Sequence, residues 1–212
     1  MEEQQKAGTG AGAQGARGAL LHAGILLFAE KGYVSTSVRE IVALAGVSKP
    51  VLYYYFDSKE GLFRAVLDWA AEMQEALLSQ VLQANGSALD RLRLLYGAIF
   101  EGVKSYPELF KLIHNLVFGP PQGAPKYDFE LYHRRMLDAV KSIYLEGLGE
   151  GELREADPDE VAIFVTGLSD FFFHMLIIDS KSFDKNRLER LIQMAFWGLT
   201  KPDLLSGSAI AP

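Results

Sequence analysis

From about residue 17 onward, apolar positions recur three and four apart, and glycine or proline punctuates them. That period belongs to helices lying against a core. No segment alternates as a half-buried strand would. The pattern predicts helices over about 17–31, stopped by Gly32, and from Thr36 to just before Gly46. A short helix follows within "VSKPVLYYYF", residues 47–56, and a long one after Asp57-Ser58 to about 83. Further helices are predicted over about 89–104, from Pro107 to about 117, over 127–148, from Asp157 to about 179, and over 185–199. "GPPQGAP", 119–125, reads as a loop and 150–156 as a polar connector. Asp157-Pro158-Asp159-Glu160 is a strong helix start, with a capping aspartate, a first-turn proline and acid at the positive helix end. The fold class is all-α, with about nine helices.

On a helix, "VSKPVLYYYF" separates into two faces. Leu52, Phe56 and Tyr55 share the inner one. Lys49, Pro50, Tyr53 and Tyr54 form an outer arc, with Ser48 at the cap and Pro50 in the first turn, where its missing N–H costs nothing. The preceding helix is capped at Thr36 and carries an apolar stripe of Ile41, Leu44 and Ala45. Gly46 supplies a left-handed turn and Val47 points back to the core. Two short helices around a glycine turn make a helix-turn-helix, whose second helix enters the DNA major groove. The same spacing also fits a plain helical hairpin whose Tyr and Lys merely solvate it.

Charge adds to this picture. The formal net charge is −6, but residues 16–66 carry +2, residues 1–15 carry −1 and the remainder −7. A slightly basic front on an acidic back suits a nucleic-acid head. The 212 residues are 49% apolar and contain no cysteine, so disulfide and thiolate chemistry are excluded, in keeping with a reducing, cytoplasmic setting. The four histidines show no metal-ligand spacing. The N-terminus "MEEQQKAG" is not a secretory n-region. Residues 1–15 are rich in Gly, Ala and Gln and are expected to be disordered, and 204–212 is read as a C-terminal tail. Gly10-Ala11-Gly12-Ala13-Gln14-Gly15 matches the dinucleotide fingerprint, but no strand precedes it. No cofactor is expected.

The run "GYVSTSVREIVALAGVSKPVLYYYFDSKEGLFRAVL" closely resembles the DNA-binding domain of TetR/AcrR-type bacterial transcriptional regulators, the tetracycline-repressor family. The resemblance covers roughly 17–66 and includes Gly32-Tyr33, Thr36, Ala45-Gly46-Val47-Ser48, Leu52-Tyr53, Phe56, Lys59-Glu60 and Leu62. It implies phosphate contacts from Thr36, Tyr53 and Lys59, and base or groove contacts from Ser48, Lys49 and Pro50. Tyr54 would touch backbone or base and Arg39 phosphate or groove, with Ser37 beside Thr36 as a further candidate. Val42 stands where the family usually has Ala, Pro50 where many members have Gly, and Tyr55 where His is common. These departures leave the base preference open.

The resemblance also implies a DNA-binding domain over 16–66, a helical ligand-binding and dimerisation domain over 67–203, and a homodimer on a palindromic operator. Repression released by a small hydrophobic or aromatic effector is the family's commoner mode. "VAIFVTGLSDFFFHMLII", 161–178, is apolar almost all round. Asp170 and His174 in its middle make a membrane span costly, so a helix buried on both sides is expected. Phe164 and Leu168, with the final helix's Leu188, Leu191, Ile192, Ala195, Phe196 and Leu199, are candidates for a dimer interface. Candidates to line a pocket are Phe100, His114, Phe118, His133, Met136, Phe171 and His174, each of which also suits a packed core. An enzyme reading finds no nucleophile elbow, metal cluster or phosphate loop, and at most an Asp170/His174 pair. A hydrophobe carrier would explain the apolar helices but not the outer arc.

Overall fold

Alanines at 7, 11, 13, 16 and 19 start the first helix earlier than the glycine content of this stretch suggests. The computed structural model describes residues 7–120, 123–179, 181 and 183–197, with side chains from residue 15 to residue 195. Nine helices stand among them: α1 Ala7–Ser35, α2 Val38–Ala45, α3 Lys49–Phe56, α4 Lys59–Gln83, α5 Ala88–Ser105, α6 Pro107–Phe118, α7 Phe129–Gly149, α8 Pro158–Ile178 and α9 Lys185–Trp197. The expected disorder of residues 7–15 is thus corrected: they are the first turns of α1. Gly32, at φ 78 and ψ 165, breaks that helix before its last turn. The expected tail over 204–212 lies outside the described residues.

The chain forms two compact units. One comprises Met1–Glu72 with Glu108–Tyr127, the other Met73–Pro107 with Asp128–Pro212, so the division falls inside α4. In the first unit α1, α2 and α3 pack on one another around Leu20, Phe28, Ile41, Leu52, Leu62 and Phe63, each at most 1% exposed. Edge-on rings tie α1 to α4, with Phe28 and Phe63 centroids 5.3 Å apart and Tyr33 and Phe63 5.0 Å apart. Burying each such side chain contributes about 1.5–3 kcal/mol.

The second unit packs α5 against α7, α8 and α9. Its core includes Leu92, Tyr96, Val140, Tyr144, Val165, Phe172, Leu188 and Ile192. Arg91 on α5 is buried yet fully employed. Its guanidinium donates to the carbonyls of Val81 (3.2 Å) and Leu82 (3.1 Å) at the end of α4, and pairs with Glu146 on α7. The Val81 carbonyl also accepts from the Ala84 N–H (3.2 Å), and the arginine's added bonds pin three helices together. Arg91 in turn holds the Glu146 carboxyl below the usual carboxylate range. Asp157 caps α8 as its sequence predicts, accepting from the backbone N–H groups of Asp159 (2.9 Å) and Glu160 (3.0 Å).

Candidate nucleic-acid interface

The turn into α2 is a capping box built from Ser37-Val38-Arg39-Glu40. Ser37 Oγ accepts from the Glu40 N–H (3.3 Å), and the Glu40 carboxylate accepts from the Ser37 N–H (2.9 Å) and hydroxyl (2.7 Å). Lys31 Nζ donates to the same carboxylate at 2.8 Å. The Lys31 ammonium, then Ser37, brings the Glu40 carboxyl down to about 2. The expectation that Thr36 caps α2 and reaches phosphate is corrected. Thr36 is 1% exposed, and its hydroxyl donates inward to the carbonyls of Gly32 (2.8 Å) and Leu27 (3.1 Å). Both carbonyls lie in α1 at or just before the break at Gly32.

Lys59 is also placed differently from the expected phosphate contact. Its ammonium donates to the carbonyls of Tyr33 and Thr36, both at 2.9 Å, and stands 4.1 Å from the Tyr33 ring centroid. Two of its three donors therefore fasten the α1–α2 turn to the start of α4.

Gly46 takes the left-handed conformation (φ 66, ψ 28), and the Val47 N–H reaches back to the Val42 carbonyl at 3.0 Å, which ends α2 and sets the entry to α3. Ile41 and Val42 are the buried side of α2. Leu44, expected in that stripe, is 53% exposed, because eight residues present only a narrow inner face. Ser48 occupies the cap position of α3, but its hydroxyl makes no capping hydrogen bond and is exposed. Pro50 stands in the first turn.

The two faces of α3 separate as the helical period requires. Leu52 (0% exposed) and Phe56 (5%) are inside, and Tyr55 is half-buried against Phe56. Lys49 and Pro50 are exposed, Tyr53 is 47% exposed and Tyr54 80%. Ser37 and Arg39, at the start of α2, are exposed as well. Exposed Tyr, Lys and Arg side chains around two helix N-termini are suited to phosphate and base-edge contacts. The turn from α3 to α4 is equally constrained. Asp57 holds φ 60, and the Gly61 N–H donates to Ser58 Oγ at 2.9 Å. A Cβ on Gly61 would stand 1.8 Å from the Phe56 carbonyl oxygen.

The residues expected to line a pocket are divided between the two units. His114 and Phe118 belong to the first unit, their rings 5.2 Å apart, with Phe118 67% exposed. In the second unit Phe100 is core, its ring 6.3 Å from that of Phe172. His133 and Phe171 are exposed, and Met136 and His174 half-buried. The α9 stripe expected at a dimer interface is packed within the chain. Leu188, Ile192 and Ala195 are at most 8% exposed within the single chain, because α9 packs on α5 and α8. Leu168 and Leu191 are half-buried there, lining a void of about 10 Å³ between α8 and α9 that has room for one water at most. The Phe196 side chain and Leu199 lie outside the described residues. Phe164 remains exposed, at 57%, and is joined by Ile163, Phe171 and Ile178. At 3.6 residues per turn these four fall within an arc of about 100°, opposite the buried face of α8. This helix, Pro158–Ile178, is long and apolar enough to cross a membrane by length and composition. Its buried arc is packed in protein all the same.

Residues 20–66 match the family described as bacterial regulatory proteins, tetR family. The chain is 28% identical over 158 residues to the HTH-type transcriptional repressor KstR2 of Mycolicibacterium smegmatis, spanning 70% of this chain and 73% of that one. It is 36% identical over 97 residues to the HTH-type transcriptional activator FasR of the same organism. That match spans 46% of this chain and 44% of FasR, so the chain covers less than half the length of that relative. Among solved structures, SmeT in its triclosan complex superposes with a TM-score of 0.73 at 20% identity, covering 88% of this chain and 92% of that one. SmeT is the repressor of the multidrug efflux pump SmeDEF of Stenotrophomonas maltophilia. At that identity the likeness is one of fold, and it extends well beyond the head. Residues 20–66 form a domain of the tetR family of bacterial regulatory proteins, and the chain is similar to HTH-type transcriptional regulators that carry it.

Proposed function

We propose that this chain is a cytoplasmic, homodimeric transcriptional repressor that binds a palindromic operator and leaves it when a small, largely apolar effector binds. The observation that carries the reading is α3. Its inner face is sealed at Leu52 and Phe56, while Lys49, Pro50, Tyr53 and Tyr54 are exposed on the outer one. In this reading residues 16–66 bind DNA, through Ser37, Arg39, Ser48, Lys49, Pro50, Tyr53 and Tyr54. Residues 67–203 hold the effector and the dimer contact.

A dimer is supported by the exposed stripe of α8, Ile163, Phe164, Phe171 and Ile178, which a second copy would cover by twofold symmetry. It also matches the geometry of operators, since one helix-turn-helix reads a half-site and a twofold pair reads two half-sites about one turn apart. Repression is favoured by the relatives' names, KstR2 and SmeT being repressors. An effector acts by binding more tightly to a conformation whose two heads are wrongly spaced for the groove. Helix α4, which contributes to both units, is the lever.

The test is stoichiometry on DNA. Duplexes recovered from a random pool are titrated with the purified protein at several salt concentrations. Two chains per duplex and affinity falling linearly in log salt are expected. Saturation by one chain, or no salt dependence, contradicts the proposal.

A further inference from the structure

The interior of the second unit contains polar atoms that the fold does not use. Tyr96 on α5 is 1% exposed and Thr166 on α8 is 2% exposed. Neither the Tyr96 hydroxyl nor Thr166 Oγ1 has a hydrogen-bond partner. The hydroxyls of Thr166 and Ser169 oppose the upward shift of the Tyr96 phenol by hydrogen bonding to it, although none of these contacts reaches ordinary hydrogen-bond geometry. The Ser169 hydroxyl is spent on the Val165 carbonyl at 2.9 Å. A buried hydroxyl left without a partner costs about 1–3 kcal/mol, so two together require an explanation. On the same two helices the rings of Phe100, one turn after Tyr96 on α5, and Phe172 on α8 stand 6.3 Å apart.

The charge around them is also defined. Asp170 follows Thr166 by one turn on α8, and its carboxyl is partly withdrawn from water, which raises it above the usual range, with His133 opposing. The Tyr96 and Tyr132 phenols are each pushed up to about 12, by burial first and by the Asp170 charge in addition. A second anion placed beside these groups would meet the same carboxylate. Neutral hydrogen-bonding groups would not.

We propose that Tyr96 and Thr166 are the polar recognition point for the effector, and that the effector is an uncharged aromatic or aliphatic molecule carrying an amide, carbonyl or hydroxyl, not a carboxylate or phosphate. The proposal rests on the regulator reading above and names the chemistry of its effector. The hydroxyl pair supplies two donors and two acceptors, the aromatic rings hold the apolar part, and Asp170 selects against anions. Thr166 is on the helix that carries the exposed stripe, so moving α8 away from Tyr96 on α5 to admit a ligand shifts the face at which the second copy docks.

The experiment uses the full-length dimer and near-isosteric pairs of probes: 2-naphthamide against 2-naphthoate, and decanamide against decanoate. Binding is read by thermal shift and by release of selected operator duplex, on the parent and on Tyr96→Phe and Thr166→Val. The expected result is that amides bind the parent at least tenfold more tightly than their carboxylates. Both variants lose that preference while melting no lower than the parent, because an unsatisfied hydroxyl has been removed. A preference for carboxylates, or no response to any probe, overturns the proposal. Variants that melt lower while keeping the preference do so as well, and identify the hydroxyls as partners of a structural water. Failure of the parent to bind any duplex refutes the regulator reading instead, and the amide preference is still read by thermal shift.

Discussion

Lys59→Met separates a structural lysine from a DNA-contacting one. Methionine keeps the unbranched stem and removes the ammonium. What is lost is a pair of 2.9 Å hydrogen bonds, to the Tyr33 and Thr36 carbonyls, and a cation 4.1 Å from the Tyr33 ring centroid. Hydrogen bonds to a charged group are worth about 1.5–3 kcal/mol each, and an exposed cation–π contact about 0.5–1. One ammonium makes all three contacts, so they do not add, and water recovers some of the loss at carbonyls that are only part-buried. The net cost is about 2–4 kcal/mol. In a chain of this length that lowers the melting temperature by roughly 5–15 °C. The assay pairs thermal unfolding with DNA affinity across a salt series on the folded variant. Had Lys59 served mainly to neutralise a phosphate, the variant would melt like the parent and its salt slope would be shallower by about one counterion. An unchanged melting temperature with a shallower slope refutes the reasoning.

Other substitutions test neighbouring parts of the account. Gly61→Ala drives a Cβ to within 1.8 Å of the Phe56 carbonyl oxygen, so the α3–α4 turn must open. Loss of about 3 kcal/mol or more and of DNA binding is expected by denaturant titration and gel shift, against no change if the turn is slack. Glu40→Gln tests the capping box through pH. The folded-state Glu40 carboxyl lies at about 2, below its ordinary value, so its contribution is complete above about pH 4.3 and vanishes as pH falls through 2. The gap in melting temperature between parent and variant should therefore be widest above pH 5 and close toward pH 2; a constant gap contradicts the assignment. Phe164→Glu with Phe171→Glu places two charges on the exposed face of α8. A helical monomer is expected by sedimentation and circular dichroism, and a surviving dimer would exclude that face.

Much of the fold was legible because helical period and punctuation are local. Pro107, Asp157-Pro158 and the Gly46 turn mark their boundaries whatever the rest of the chain does. The two faces of α3 were legible for the same reason, since a single turn of geometry separates Leu52 from Tyr54. What could not be read depends on partners far along the chain. Thr36 and Ser37 are adjacent hydroxyls, and the first turns inward to the carbonyls of Leu27 and Gly32 while the second caps. The S-x-x-E pattern of Ser37 and Glu40 was the available signal. Lys59 reaches across 23 and 26 residues to its carbonyls, beyond any sequence window. The stripe of α9 shows that a face is covered, not by what, and here α5 and α8 cover it. The candidate pocket residues are a related case, because aromatic composition marks core and ligand site alike. Tyr96 and Thr166, which no motif marks, stand out only once their hydroxyls are found buried without partners.

The central claim is that the outer arc of α3 reads DNA. The most direct measurement is a selection from random duplexes at moderate salt, run in parallel with the parent, Lys49→Ala and Tyr53→Ala, each shown to be folded. The account predicts a palindromic site for the parent, with half-sites about one helical turn apart, and loss or degradation of that site in both variants. Equal enrichment by all three proteins, or none by a folded and dimeric parent, contradicts it.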